Sequence, residues 1–365
     1  MRCITIAPEE EQAKLLRPNC SVGVRKRRRA VGRALLFLLF LVPGLVMPAA
    51  PPRSADHNFV LAEKFYREQA FSPAEKLYSQ VDPTSADYPL AQLRLGTIYY
   101  LTGRPTQAEK CFSIYLRFQK TPEAYCLLAG ALFNQQKFPL AVSAAQHALE
   151  LDPKFAKAYT VLGMIHTAGK NFTSAEADYR QALKLNDHDS DTWFMLGRTL
   201  FFRDDFTEAA KAFEHALAIN PQSVRSYENL ARTKDVMGDV KGAEQCYQEG
   251  LRAGRDKTLF DPHIYVQYGE FLLKLGRPED GQRVVEEGLR TAPSDAELHY
   301  ELSKIDFRMN RLPAAAQEGE MALRLDGPDY KVDFLLAQIY TAMGNTEEAS
   351  KHASRAAQSA PNSNP

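Results

Sequence analysis

The chain has 365 residues, with 45 basic and 45 acidic side chains and 45% hydrophobic content. Those proportions belong to a folded protein and exclude a disordered chain. The zero net charge is uneven: residues 1–33 carry nine basic and three acidic side chains, a net +6 that leaves −6 on the remainder, and a mildly acidic body argues against nucleic acid as the ligand, because phosphate binding needs a basic face.

In chain order, the first feature is the basic region 1–33, ending in "RKRRRAVGR", followed by an uncharged run, 34–52. Nineteen residues span about 28 Å if helical, close to a bilayer core. The run therefore reads either as the apolar region of a signal peptide or as a single transmembrane anchor. Pro43, Gly44 and the small pair Ala49–Ala50 favour a cleaved signal; Pro48, Pro51 and the long preceding region oppose cleavage. Either way the positive cluster stays in the cytoplasm. The body is expected outside it, periplasmic or otherwise extracytoplasmic, and tied to the membrane through this segment if it is not cleaved. Five cysteines without CxxC spacing do not make a disulfide framework. Cys111, Cys126 and Cys246 are expected to be buried thiols, with a Cys111–Cys126 bridge as the alternative in an exported body.

From residue 55 the chain repeats itself at about 34 residues, in units starting near 55, 89, 122, 156, 190, 224, 262, 296 and 330. "AVSAAQHALELDP" at Ala141 returns as "AEADYRQALKLND" at Ala175 and "AAKAFEHALAINP" at Ala209. The seventh residue is leucine or Tyr268, and the eighth and twentieth are always small, as in Gly163 with Ala175 and Gly197 with Ala209. Position 24 is often aromatic (Tyr78, Phe112, Tyr179, Phe213, Tyr247). Apolar and small residues at 4, 7, 8 and 11, then at 20, 24 and 27, have the spacing of two helices. Small residues let the pair approach closely and the large ones fill the adjoining groove. Gly103, Gly238, Gly276, Gly344 and Asn310 mark the turn between them. Thr106, Thr173 and Thr207 are expected to cap the second helix, and Pro153, Pro221, Pro293 and Pro361 to close the unit. Each unit has too little apolar surface to fold alone, so neighbouring units hold one another.

This pattern resembles the tetratricopeptide repeat (TPR) family, most closely at 190–223 through Trp193, Leu196–Gly197, Ala209, Phe213, Ala216 and Pro221. The departures are Leu200, Lys234 and Asp306 at position 11, Gly319 at position 24, and Asn58 and Gln92 at position 4. The resemblance implies an all-α fold, a right-handed superhelical array of about nine helix-turn-helix repeats. Repeats 1–6 would cover 55–257 and repeats 7–9 262–363, with an insertion at 258–261 that bends the array or separates two sub-arrays.

The chemistry-bearing patterns are weak. "GMIHTAGKN" has five residues between Gly163 and Gly169 where a phosphate loop needs four, and Asn171 where it needs Ser or Thr. The histidines lack metal-ligand spacing, no HExxH or GxSxG occurs, and "NDHDSD" at 186–191 reads as a solvated loop. The expectation is a non-enzymatic chain without cofactor or metal.

If the repeats stack as the resemblance implies, positions 2, 5, 9, 12 and 13 of each first helix line a groove. Position 12 is aromatic in Tyr66, Tyr100, Phe133, Phe201 and Phe307. Phe194, Arg198, Phe201 and Phe202, with Arg225 and Arg232 of the next unit and Phe133 and Tyr100 further up, form the candidate partner-binding set, since aromatic rings beside arginines make protein-binding hot spots. The bland alternative is that position-12 rings half-pack between helices. Some family members clamp acidic C-terminal peptides with Lys at 5 and Asn at 9, which no unit here carries, and the sugar-transferase members carry an asparagine ladder at position 6, where only Asn229 matches. The expected function is a scaffold that recruits a protein or peptide. The alternatives are a structural element of an envelope complex and an accessory subunit of an enzyme encoded elsewhere.

Overall fold

The computed structural model describes residues 56–255 and 260–359. The basic region, the apolar run at 34–52 and residues 258 and 259 of the insertion at 258–261 lie outside the described residues. Those residues form eighteen α-helices and no strand. They fall into two compact units that divide between Phe202 and Arg203.

The first unit holds α1 (His57–Arg67), α2 (Phe71–Tyr78), α3 (Tyr88–Leu101), α4 (Pro105–Phe118), α5 (Pro122–Asn134), α6 (Phe138–Leu151), α7 (Ala156–Ala168), α8 (Phe172–Leu185) and α9 (Ser190–Phe202). The second holds α10 (Phe206–Ile219), α11 (Val224–Val236), α12 (Val240–Ala253), α13 (His263–Lys274), α14 (Pro278–Thr291), α15 (Ala296–Arg308), α16 (Leu312–Asp326), α17 (Tyr330–Ala342) and α18 (Thr346–Ser359). Odd-numbered helices are the first helices of the repeats and even-numbered ones the second. The first hairpin is the exception in length: α1 has 11 residues and α2 only 8.

Small and large positions interlock as their spacing predicts. A Cβ on Gly96 would lie 2.7 Å from the ring of Phe112, and one on Gly163 would lie 2.6 Å from that of Tyr179. Both rings are fully buried. In the second unit Gly269 receives Val285 in the same way. Gly319, a departure from the repeat pattern, reverses the arrangement: here the small residue is on the second helix, and Leu336 of the following repeat fills the space, 2.8 Å from where a Cβ would stand.

Main-chain bonds close the turns inside the hairpins on either side of the residues at 203–205. After α5, Gln136 adopts φ 60°; its N–H donates to Phe133 O at 2.8 Å, and Lys137 N–H reaches back to Leu132 O at 3.0 Å. This is the left-handed helix ending with its paired return bonds. Gly103, Gly238, Gly276, Gly344 and Asn310 adopt the positive φ expected of them. Gln69, Gln136, Lys170 and Asp204 do so too, with no sequence signal. The capping expectation needs correction. Arg104, Asn171 and Asp205 occupy the N-cap positions, and Thr106, Thr173 and Thr207 lie within the first turn. The left-handed residue is followed directly by the cap, so the cap falls two residues before the threonines. Only Asn171 of those three caps through its side chain, accepting from Ser174 N–H at 3.3 Å.

Cys111, Cys126 and Cys246 are buried free thiols, not a bridge. Burial pushes Cys111 up to about 11 and Cys126 up to about 12, so they stay protonated and unreactive.

Candidate functional site

Within each unit, successive first helices pack on one another: α3 on α5, α5 on α7 and α7 on α9 in the first, α11 on α13, α13 on α15 and α15 on α17 in the second. Second helices have no comparable mutual contact among the described residues. A stack that is tighter on one side curves toward that side, so the first helices of each unit line its inner face. Their non-recurring side chains form the surface available for recognition.

On the first unit this face is largely aromatic, and Glu63 and Arg94 on it are matched to each other. Glu63 accepts from Tyr78 Oη at 2.6 Å and from Arg94 Nε at 2.9 Å. The Arg94 guanidinium also lies over the Tyr66 ring, 4.9 Å from its centroid. Burial raises Tyr66 above the usual phenol range, with Arg94 opposing. Tyr100 lies against the bare backbone of Gly130, 3.0 Å from where a Cβ would stand. Burial raises its phenol, with Asn134 opposing. Phe133 packs on Phe138 at 5.8 Å. Tyr100 and Phe133 are both half-buried; the first braces the next hairpin, and the second packs within its own.

Four of the predicted residues come together on α9. Phe194 is buried, with the guanidinium of Arg198 over its ring at 5.7 Å. Phe201 and Phe202 are half-buried and meet edge to face at 6.2 Å. Phe202 stacks flat on Phe172, the first residue of α8, at 5.5 Å and 14°. Phe202 therefore closes the turn of the preceding hairpin, whereas Arg198 and Phe201 remain as partly exposed side chains of the face.

Arg225 and Arg232 belong to the second unit, on α11, where Arg225 is exposed and Arg232 half-buried. Between them sits Glu228, which repeat alignment did not single out. Its side chain is 5% exposed and lies 3.0 Å from Nδ1 of His263. Further along, Lys274 Nζ donates to both oxygens of Asp235 at 2.8 and 2.9 Å, and Lys304 Nζ donates to Glu270 and Glu301 at 2.7 and 2.6 Å. The inner face of the second unit is thus a chain of ion pairs, in contrast to the rings and hydroxyls of the first. The signal was present, since Glu228, Glu270 and Lys304 occupy positions 5 and 9, but the pairing between repeats needs the fold.

The nearby Glu228 carboxylate raises His263 to about 10, against the opposing effect of burial. A histidine raised from 6.5 contributes stability that is whole below about pH 6.5 and is lost as pH climbs through about 10. The His263→Gln variant should therefore lose the wild type's excess stability below pH 8 and converge on it above pH 10. Urea unfolding across that range checks this.

Four family models described as tetratricopeptide repeat match residues 126–190, 203–261, 262–305 and 334–363, together more than half the chain. The chain belongs to the tetratricopeptide repeat family. A search of curated proteins gave no significant match. Among solved structures, the chain is similar to the APC/C hetero-tetramer Cut9–Hcn1 at 13% identity and TM-score 0.51, covering 82% of this chain and 62% of that one. It is also similar to YrrB, a TPR protein with an unusual peptide-binding site, at 17% identity and TM-score 0.39, covering 51% of this chain and 93% of that one. At these identities the likeness concerns the fold. No helix among the described residues is long and apolar enough to cross a membrane.

Proposed function

We propose that this TPR protein is a non-enzymatic scaffold that captures a protein or peptide segment on the inner faces of its first helices. One observation carries the reading: on α9 an arginine lies over a buried phenylalanine beside a half-buried second ring, Phe201. That arrangement sets apolar area beside a guanidinium on the face of the first helices. Large rings anchor with little entropy loss, and guanidinium recognises carboxylates and backbone carbonyls. The repeated residues are consumed in cohesion, so specificity falls to the non-repeated ones.

Its place in the cell follows from residues 34–52, read as a signal peptide or anchor. The array would then work outside the cytoplasm. Fractionation with and without an alkaline wash tests this part separately: release of a membrane-bound body by the wash argues for a peripheral protein, retention for an anchor, and a wholly cytosolic body against both.

The binding reading is tested by the double variant Arg198→Ala with Phe201→Ala. Crosslinking and mass spectrometry of the purified chain should identify a partner that the wild type retains and the variant loses by tenfold or more, on the order of 1.4 kcal/mol or above. The circular dichroism and urea midpoint should be unchanged within about 0.5 kcal/mol, as for other substitutions outside the core. Undiminished capture would place the binding surface elsewhere.

A further inference from the structure

Glu301 on α15 is fully buried, and its Oε1 has no hydrogen-bond partner among the described residues. Its Cγ packs toward the backbone of Gly269 on α13, within 3.4 Å of where a Cβ would stand. Its Oε2 accepts from Lys304 Nζ at 2.6 Å, and the same ammonium donates to Glu270 of α13 at 2.7 Å. Glu270 places a second negative charge beside the same ammonium, which disfavours ionisation of Glu301. Two carboxylates therefore face one ammonium, one of them sealed from water with an oxygen unmatched. Ionised, that group would carry the desolvation cost of a buried charge with half a partner.

We propose that Glu270, Lys304 and Glu301 form a proton-loaded latch between α13 and α15, closed while the cluster shares one extra proton and loosened when that proton leaves. The other charges around α15 are engaged elsewhere. His299 pairs with Glu318 of α16 at 2.5 Å. Asp306 looks toward Arg311 at 3.9 Å, with Glu286 of α14 and Glu318 also acting on it. Tyr300, one turn from Lys304, has the ammonium 5.4 Å from its ring centroid and feels Asp329 of the loop before α17. Lys304 is thus the cation, and Glu270 the second acid, that act most strongly on Glu301. Burial pushes the Glu301 carboxyl up to about 8, with Lys304 pulling it down and Glu270 pushing it further up. For a carboxyl raised from 4.5, stability is whole below about pH 4.5 and is lost as pH rises through about 8.

The test needs no partner, so it stands apart from the scaffold reading. In the full chain, Glu301→Gln replaces the protonated acid by a neutral isostere. Amide exchange of α13 and α15 should match wild type near pH 5. Between about pH 5 and about pH 8 the wild type should open progressively faster than the variant, by up to about tenfold per pH unit. Parallel profiles would overturn the latch. Infrared spectra of wild type should show a protonated-carboxyl stretch at neutral pH that bleaches in alkali. Its absence in the native chain would overturn the proposal even if the variant failed to fold.

Discussion

Alanine in place of Phe112 is expected to destabilise the first unit by about 3–5 kcal/mol, the range for emptying a fully buried aromatic site. The ring is completely buried and lies over Gly96, with Ala108 and Ala131 around it. Gly96, Ala108 and Ala131 beside the ring are too small to refill the cavity. The control is Phe118→Ala, whose ring is 59% exposed; that change should stay within about 0.5 kcal/mol. Amide exchange of α3 to α5 would resolve the two. A Phe112→Ala loss near 1 kcal/mol would mean that the small residue at position 8 and the aromatic at position 24 are not the pairing that holds the hairpin.

The second large effect is expected at the other end of the chain. His352 on α18 is wholly buried, with Nδ1 2.7 Å from Asp333 of α17 and Nε2 3.0 Å from Glu320 of α16, and Tyr340 stacked on its ring at 5.5 Å. Asp333 is equally buried and keeps one further contact, Arg355 Nε at 3.3 Å. His352→Ala removes the bridge between three helices and leaves the Asp333 carboxylate with Arg355 alone; breaking a buried pair costs about 3–5 kcal/mol. Since the last repeat contacts only its predecessor, the loss should appear as fast amide exchange confined to α17 and α18, with α11 and α12 unaffected. Uniform loss across the second unit would show that it unfolds as one block.

Hairpin starts, the interlocking of Gly163 with Tyr179 and the glycine turns were legible in the sequence, because each is a local steric demand repeated at a fixed period. The caps were not: Arg104 and Asp205 have no side-chain cap bond, so no residue preference marks them. Nor were the left-handed Gln69, Gln136 and Lys170, whose conformation is imposed by the chain on either side. At the candidate face, the position-12 aromatics were legible as residues but not as roles. Tyr100 proves to rest on Gly130 and Phe202 to stack on Phe172, contacts between repeats that no single unit contains. The pairing of Glu228 with His263, 35 positions apart, was hidden for the same reason.

The hairpin turns carry one more implication. The bonds that close them run from main chain to main chain, as from Asn171 N–H to His166 O and from Arg311 N–H to Asp306 O, both at 2.9 Å. A left-handed residue other than glycine costs on the order of 1 kcal/mol there, and the chain tolerates it at Gln136 and Lys170. Geometry at these corners is therefore nearly independent of side-chain identity. Mutation can rewrite the chemistry of this rim, one corner at a time, without shifting the register of any helix, which gives the lineage a margin on which to try new contacts while its framework stays fixed.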